Sequence, residues 1–307
     1  MVSKVQGDST QTSSNGSLVA SSNQSAQSTT ITTETKPSSS KASASTPQKQ
    51  LLVLAKQFVL DGALTPEEKQ IPIEDRVIKR ERISRVRKQQ NLEAIVQKSL
   101  AYCPNATNTT KADQDWFNRF TALAEDVSNN TMQDLWAKIL AGEISQPGSF
   151  SLKSLTVFKS MSITDAKLLA KVCSLSVRDN TRKNTRIISG AYKTPGLFSF
   201  FSKDAQIKVN LNQCGLSYTE ILSLAENDLI FAQEAETSEY QKGEKITFNY
   251  NGKTLTLSAN SHRCGLSFYK FTPIGSELAL LISDNPNKEF AALLKSSLQS
   301  HFTVSLN

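Results

Sequence analysis

Aromatic residues are absent from the first fifty positions of this 307-residue chain, where Ser, Thr and Gln dominate. Isolated apolar positions such as Leu18, Val19 and Ile31 cannot bury enough surface to offset the entropy lost on ordering. Residues 1–48 are therefore expected to form a disordered Ser/Thr/Gln-rich tail. The same stretch lacks the apolar core of a signal peptide, and no cysteine stands near Met1 to carry a lipid. The apolar run at 51–55 is too short to span a bilayer. No membrane span and a cytoplasmic location are the expectations.

Catalytic signatures are equally sparse. Histidine occurs twice, and no P-loop, G-x-G-x-x-G, H-E-x-x-H or G-x-S-x-G motif is present. Asp113, Asp115 and Glu143 come nearest to a metal-dependent hydrolase, but no His or second carboxylate recurs at helical spacing beside Glu143. Cys103, Cys173, Cys214 and Cys264 are scattered without a C-x-x-C pair, which reads as reduced, mostly buried thiols. His262 and Cys264 with Cys214 offer three zinc-type donors and no evident fourth. No metal, no cofactor and no enzymatic activity are expected.

Helical patterning is what the chain does have. Trp116, Phe117, Phe120, Leu123, Ala124 and Val127 fall three and four apart, one face of a helix. Asn129, Asn130 and Thr131 interrupt that stripe and can cap a second helix carrying Met132, Leu135, Trp136, Ile139 and Leu140. Pro147 and Gly148 break it. A third stripe holds Leu152, Leu155, Phe158 and Met161. Ser162 and Asp165 form a capping box ahead of Ala166, Leu168, Leu169, Val172 and Cys173. Residues 106–176 thus read as a bundle of short helices. Glu143 lies in the middle of an apolar stripe, so its carboxylate must be paired, hydrogen-bonded or at a rim. It is either a helix-end Glu that reaches solvent or bonds free amides at the start of the next helix, or a buried acid poised for chemistry.

The net charge of +7 is unevenly placed. Arg76, Lys79, Arg80, Arg82, Arg85, Arg87 and Lys88 crowd one segment of a helical region expected over 49–105. Leu92, Ile95, Val96 and Leu100 follow as an ordinary amphipathic stripe, whereas Ile83 and Val86 occupy a different face. A helix polar on every side is solvated or bound to something. Nucleic-acid phosphates, an anionic membrane surface and an acidic protein are the candidate partners. Nothing aromatic is interleaved, which weakens single-strand stacking. A second basic run, Arg178, Arg182, Lys183, Arg186 and Lys193, lies in an expected linker over 177–209. The apolar GLFSFF at 196–201 is expected to dock on a domain or a partner.

In the C-terminal part, Ser217 and Glu220 cap a helix with Ile221, Leu222, Leu224 and Ala225. Ile246, Phe248 and Tyr250 alternate, Asn251-Gly252 supplies a turn, and Leu255 and Leu257 return, which predicts a hairpin pairing Phe248 with Leu255 and Ile246 with Leu257. Phe268, Tyr269 and Phe271 make a further strand, and Thr272-Pro273 opens another helix. This order resembles a winged-helix module over 210–307. Its would-be reading helix carries Glu220 and Glu226 and no Arg or Lys, the wrong charge for a DNA groove. The expected fold class is mainly α with a small α+β part: disordered tail, basic helix, short-helix bundle and C-terminal winged-helix-like domain.

Three motifs stand out: Asp-Trp-Phe-x-Arg-Phe at 115–120, Leu-Trp-Ala-Lys-Ile-Leu-Ala-Gly-Glu-Ile at 135–144 and Pro-Gly-Ser-Phe-Ser-Leu at 147–152. With them, roughly residues 70–307 resemble an uncharacterised bacterial family known as a domain of unknown function. The resemblance supplies no catalytic residues; it implies structural roles for Trp116, Arg119, Phe120, Trp136, Glu143, Pro147 and Ser151, and an association with phage defence. A nonenzymatic protein-interaction module with an unknown protein partner is the expected function. Nucleic-acid association through 76–88 is the alternative, and a metal-dependent hydrolase or phage-defence component a further one.

Overall fold

The computed structural model describes residues 46–104, 111, 113–179, 184–195 and 206–307. The expected tail up to residue 45, the basic residues Arg182 and Lys183, and the 196–201 segment all lie outside the described residues. Residues 52–307 group as one unit; of 1–51, the description covers Thr46 and the start of the first helix.

Six helices come first: α1 (Pro47–Gln57), α2 (Ile73–Leu100), α3 (Gln114–Ala124), α4 (Asn130–Ser145), α5 (Leu152–Ser160) and α6 (Ile163–Ser174). Their starts follow the local chemistry. Asp113 accepts from the amides of Asp115 and Trp116, Asn129 from those of Thr131 and Met132, and Ser151 from that of Ser154. Ser162 and Asp165 form a reciprocal capping box. Each such cap satisfies amides the helix itself cannot, worth about 1 kcal/mol. Trp116, Phe120, Trp136 and Phe158 run as a chain of ring contacts, with successive centroids 5.2, 5.4 and 5.2 Å apart. Aromatic pairs at this spacing add to what burial already contributes.

The remaining elements are β1 (Val177–Arg178), β2 (Thr185–Lys193), β3 (Gln206–Lys208), α7 (Tyr218–Glu226), β4 (Ile230–Glu236), β5 (Lys245–Tyr250), β6 (Lys253–Ala259), β7 (Cys264–Phe271), α8 (Pro273–Leu278), α9 (Lys288–Leu298) and β8 (Phe302–Leu306). The strands form one eight-stranded sheet in the order β4-β7-β2-β1-β5-β6-β8, with β3 beside β2 and every pair antiparallel. The hairpin β5–β6 has Phe248 opposite Leu255 and Ile246 opposite Leu257, as its alternation predicts. Asn251 and Gly252 take positive φ at its turn, where Asn and Gly are tolerated. β2 and β7 are buried almost along their whole length, so both faces of the sheet centre are covered.

This sheet overturns the expected fold class. Helix occupies about 52% of the described residues and strand 20%, too much strand for a mainly α chain with a small sheet. A winged-helix end is not what the topology gives. The hairpin does not lie beside β7, since β2 and β1 intervene. The chain end adds β8 to β6, and residues 177–209 contain β1, β2 and β3. The local alternation of the hairpin is legible in sequence, but the long-range pairings that place it are not. α7 also differs from an exposed reading helix. Glu220 accepts the Ser217 amide in the capping box and pairs with Lys171 of α6 at 2.6 Å, and α7 packs on β4.

Helices and sheet share one continuous hydrophobic core, running from Ile95 and Trp136 through Ile187 and Ile188 to Phe290 and Phe302. Polar ties reinforce it. Glu277 of α8 accepts the Ser151 amide at 2.7 Å and the Ser154 hydroxyl, holding the start of α5. Asn251 donates to the Cys173 carbonyl at 3.1 Å, and the Tyr250 hydroxyl lies 2.9 Å from the Ser174 carbonyl. Burial pushes the Tyr250 phenol up to about 12.

Candidate interaction surface

α2 is 28 residues long, about 42 Å at helical rise, yet its buried residues are confined to Asn91, Ile95 and Ser99 in its second half. That half packs on α4. Asn91 donates to the Glu125 carbonyl at 2.8 Å and lies 3.3 Å from Gln133, so its burial leaves the amide satisfied. The seven basic residues singled out by sequence lie ahead of Asn91, and they do not form one cluster.

One side of α2 is engaged. Lys88 binds Glu125 and lies 3.7 Å from Asp126; the hydrogen bond to Glu125 is the main reason its ammonium is held above the usual lysine value. Arg87 stacks on Phe58, 4.1 Å from the ring centroid, and donates to the Gln57 carbonyl at 3.3 Å. Arg76 packs against Gly62 so closely that a Cβ there would fall 2.3 Å from a guanidinium nitrogen. Together with Arg80 and Ile83, several of these residues line a pocket of about 540 Å³ that also receives Glu81, Glu125 and Asp126. Mixed charge makes it a poor anion site.

The opposite side is free. Arg85 meets Glu81 at 3.4 Å in an exposed i,i+4 pair, an arrangement worth a few tenths of a kcal/mol. Lys79 and Arg82, like Arg80 at the pocket, are exposed and have no carboxylate partner among the described residues. In the segment before α2 and in its first turns, the apolar side chains Leu60, Leu64, Ile73 and Ile78 are 57–65% exposed. α1 buries none of its residues.

The stripe Leu92, Ile95, Val96, Leu100 divides in the structure. Ile95 is fully buried, whereas Val96 and Leu100 are 45% and 71% exposed. Leu92, Val96 and Leu100 face Phe117 and Thr121 of α3 across a groove of about 420 Å³. Sequence reading took that stripe as an ordinary amphipathic one and missed the groove. The extra apolar width, with Val96 beside Ile95, was its signal.

The family-motif residues fall into two groups. Trp116, Phe120 and Trp136 are core, and the Trp116 indole donates to the Phe150 carbonyl at 2.7 Å. Glu143 is buried, and its two oxygens accept the Gly148 and Phe150 amides at 2.7 and 2.9 Å across the Pro147 turn. Glu143 therefore neither reaches solvent nor bonds the first amides of α5; it bonds free amides of the turn just ahead of that helix. Ser151 caps α5. Arg119 is exposed and lines a groove of about 840 Å³ with Lys153, Leu152 and Phe231.

Asp113 is occupied as a cap while Glu143 closes its turn, so the hydrolase constellation is not assembled. Among the described residues no three His, Cys, Asp or Glu side chains gather at metal-binding distance. His262 meets Gln241 at 2.7 Å, and the four cysteines are free thiols. No described helix is long and apolar enough to cross a membrane.

No curated protein and no solved structure matches the chain. A family model does match, over residues 75–295, a span that runs from the basic half of α2 through the sheet into α9. The chain belongs to the family described as "Protein of unknown function (DUF2806)".

Proposed function

We propose that this protein is a nonenzymatic interaction module that recruits a protein partner through its N-terminal helical arm, the segment from Leu52 to the middle of α2. The observation that carries the reading is the exposure of large apolar side chains there, with Leu60, Leu64, Ile73 and Ile78 each more than half exposed. Several large apolar side chains left in water within one segment are surface that a partner can cover. Free thiols suit a reducing compartment, so the reading puts the protein in the cytoplasm.

Nucleic-acid association is the second reading, favoured by Lys79, Arg80 and Arg82, which are exposed and have no carboxylate partner among the described residues. Against it, Glu74, Asp75 and Glu81 share the same half-helix, and exposed Ile73 and Ile78 gain nothing from phosphate. Binding to a synthetic 20-bp duplex across a salt series separates the two. Phosphate contacts give affinity that falls steeply with salt and disappears on reversing Lys79, Arg80 and Arg82 to Glu. The interaction reading expects duplex binding no tighter than that of an unrelated protein of equal charge. Tight, salt-steep binding lost on reversal would replace it with the second reading.

A further inference from the structure

Arg82, Arg85, Gln89, Leu92, Val96 and Leu100 are spaced three and four apart along α2, so they share one side of the helix. The stripe is accessible throughout: Leu92 is half-buried and the other five are exposed. Ile78, 64% exposed, extends it by one turn. From Ile78 to Leu100 it measures about 33 Å, the length of a six-turn helix. Its two halves differ in chemistry. The C-terminal half is the apolar groove walled by Phe117 of α3. The N-terminal half presents Arg82, which has no carboxylate partner among the described residues, and Arg85, whose partner Glu81 is itself exposed.

We infer that this stripe is the docking seat for an amphipathic α-helix of acidic character on the partner protein. Its apolar residues lie in the Leu92–Val96–Leu100 groove, and its carboxylates lie over Arg82 and Arg85. The inference rests on the interaction reading and names the partner's chemistry. Heptad-like spacing on a helix is complemented by another helix, whose anchors recur at the same interval. The cationic half selects acidic residues, and like charge there rejects a basic helix. A second copy of this chain fits poorly, because it would bring its own Arg82 and Arg85 to the same seam, where Glu93 is the carboxylate beside the groove. A nucleic acid would leave Val96 and Leu100 against phosphate.

The test uses the full-length protein and fluorescein-labelled synthetic helices. One peptide carries leucines at heptad spacing in one half and glutamates flanking the seam in the other. A second has every glutamate replaced by lysine, and each is made with the halves in either order. The seat should bind the acidic peptide in one of the two orders. Affinity should fall about tenfold or more for Val96→Glu with Leu100→Glu, and several-fold for Arg82→Glu with Arg85→Glu. The lysine peptide should bind at least about tenfold more weakly. These side chains are exposed, and Val96→Ala with Leu100→Ala repeats the groove test should the Glu variants fail to fold. The inference is overturned if neither acidic peptide binds, if either pair of variants leaves affinity unchanged, or if a DNA duplex or phosphatidylserine vesicles bind the stripe more tightly than the peptide. Leu64 lies off the stripe, so protein capture there would leave the interaction reading standing even where the peptide fails.

Discussion

The carboxylate of Glu143 accepts the amide of Phe150, seven residues ahead, at 2.9 Å, while its other oxygen takes the Gly148 amide at 2.7 Å. A buried acid is thereby converted into a clasp that fixes the turn between α4 and α5. Replacing it with Gln keeps one good acceptor and turns an NH2 group toward a backbone donor. Glu143→Gln should destabilise the fold by about 1–3 kcal/mol, and Glu143→Leu by more, since both amides are then orphaned. Denaturant unfolding of the three proteins measures the order; equal midpoints would show that the clasp contributes nothing.

Gly275 is a second fixed point. A Cβ at this position would fall 1.8 Å from the Leu229 carbonyl oxygen, a backbone atom that cannot swing aside. Gly275→Ala should therefore cost about 1–3 kcal/mol or more by forcing α8 away from the start of β4. Thermal unfolding checks this, with Gly243→Ala as a comparison in which a Cβ meets nothing within 4 Å but the positive φ adds local strain.

The Glu220 carboxyl is held below the usual carboxylate range, first by the hydrogen bond from Lys171 and then by the Ser217 backbone. A folded value below the unfolded one gives stability that is complete above the ordinary Glu value and is lost as pH falls through the lowered one. Wild type should therefore melt above Glu220→Gln at neutral pH, and the gap should close in acid. Both side chains are partly exposed, so added salt should narrow it as well. A gap independent of pH would assign the effect to packing.

Thiol reactivity should follow burial. Cys173 is enclosed, and burial pushes its thiol up to about 12. Cys103 is the one cysteine not fully buried. Labelling of the native protein with a maleimide should modify Cys103 first and Cys173 only on unfolding. Mass spectrometry of peptides from a short reaction reads the order directly.

Local chemistry was legible in the sequence wherever a few neighbouring residues decide the structure. The Ser162–Asp165 and Ser217–Glu220 boxes, the Asn251–Gly252 turn and the register of Phe248 against Leu255 all form as their residues dictate. The sheet was not legible, because its assembly depends on pairings such as Arg178 with Asn249 and Leu257 with Val304, whose partners are distant in the chain. β2 was hidden for a compositional reason. Its Ile187, Ile188 and Ala191 lie among Ser, Thr, Asn and basic residues that read as a link. At the candidate surface, the concentration of charge on α2 was visible, but its division was not. Which of Arg76, Arg87 and Lys88 are engaged depends on Gly62, Phe58 and Glu125, brought to α2 by tertiary structure.

The central claim, that the exposed helical arm seats a protein, is tested most directly by photo-cross-linking in the organism's own cells. A photoreactive amino acid is placed at Leu64 or Ile78, with exposed Lys295 on α9 as the control position. The account expects discrete protein adducts of defined mass at both arm positions, weakened when Ile73 is changed to Glu, and none at Lys295. Adducts to nucleic acid alone, or the same adducts from all three positions, would contradict it.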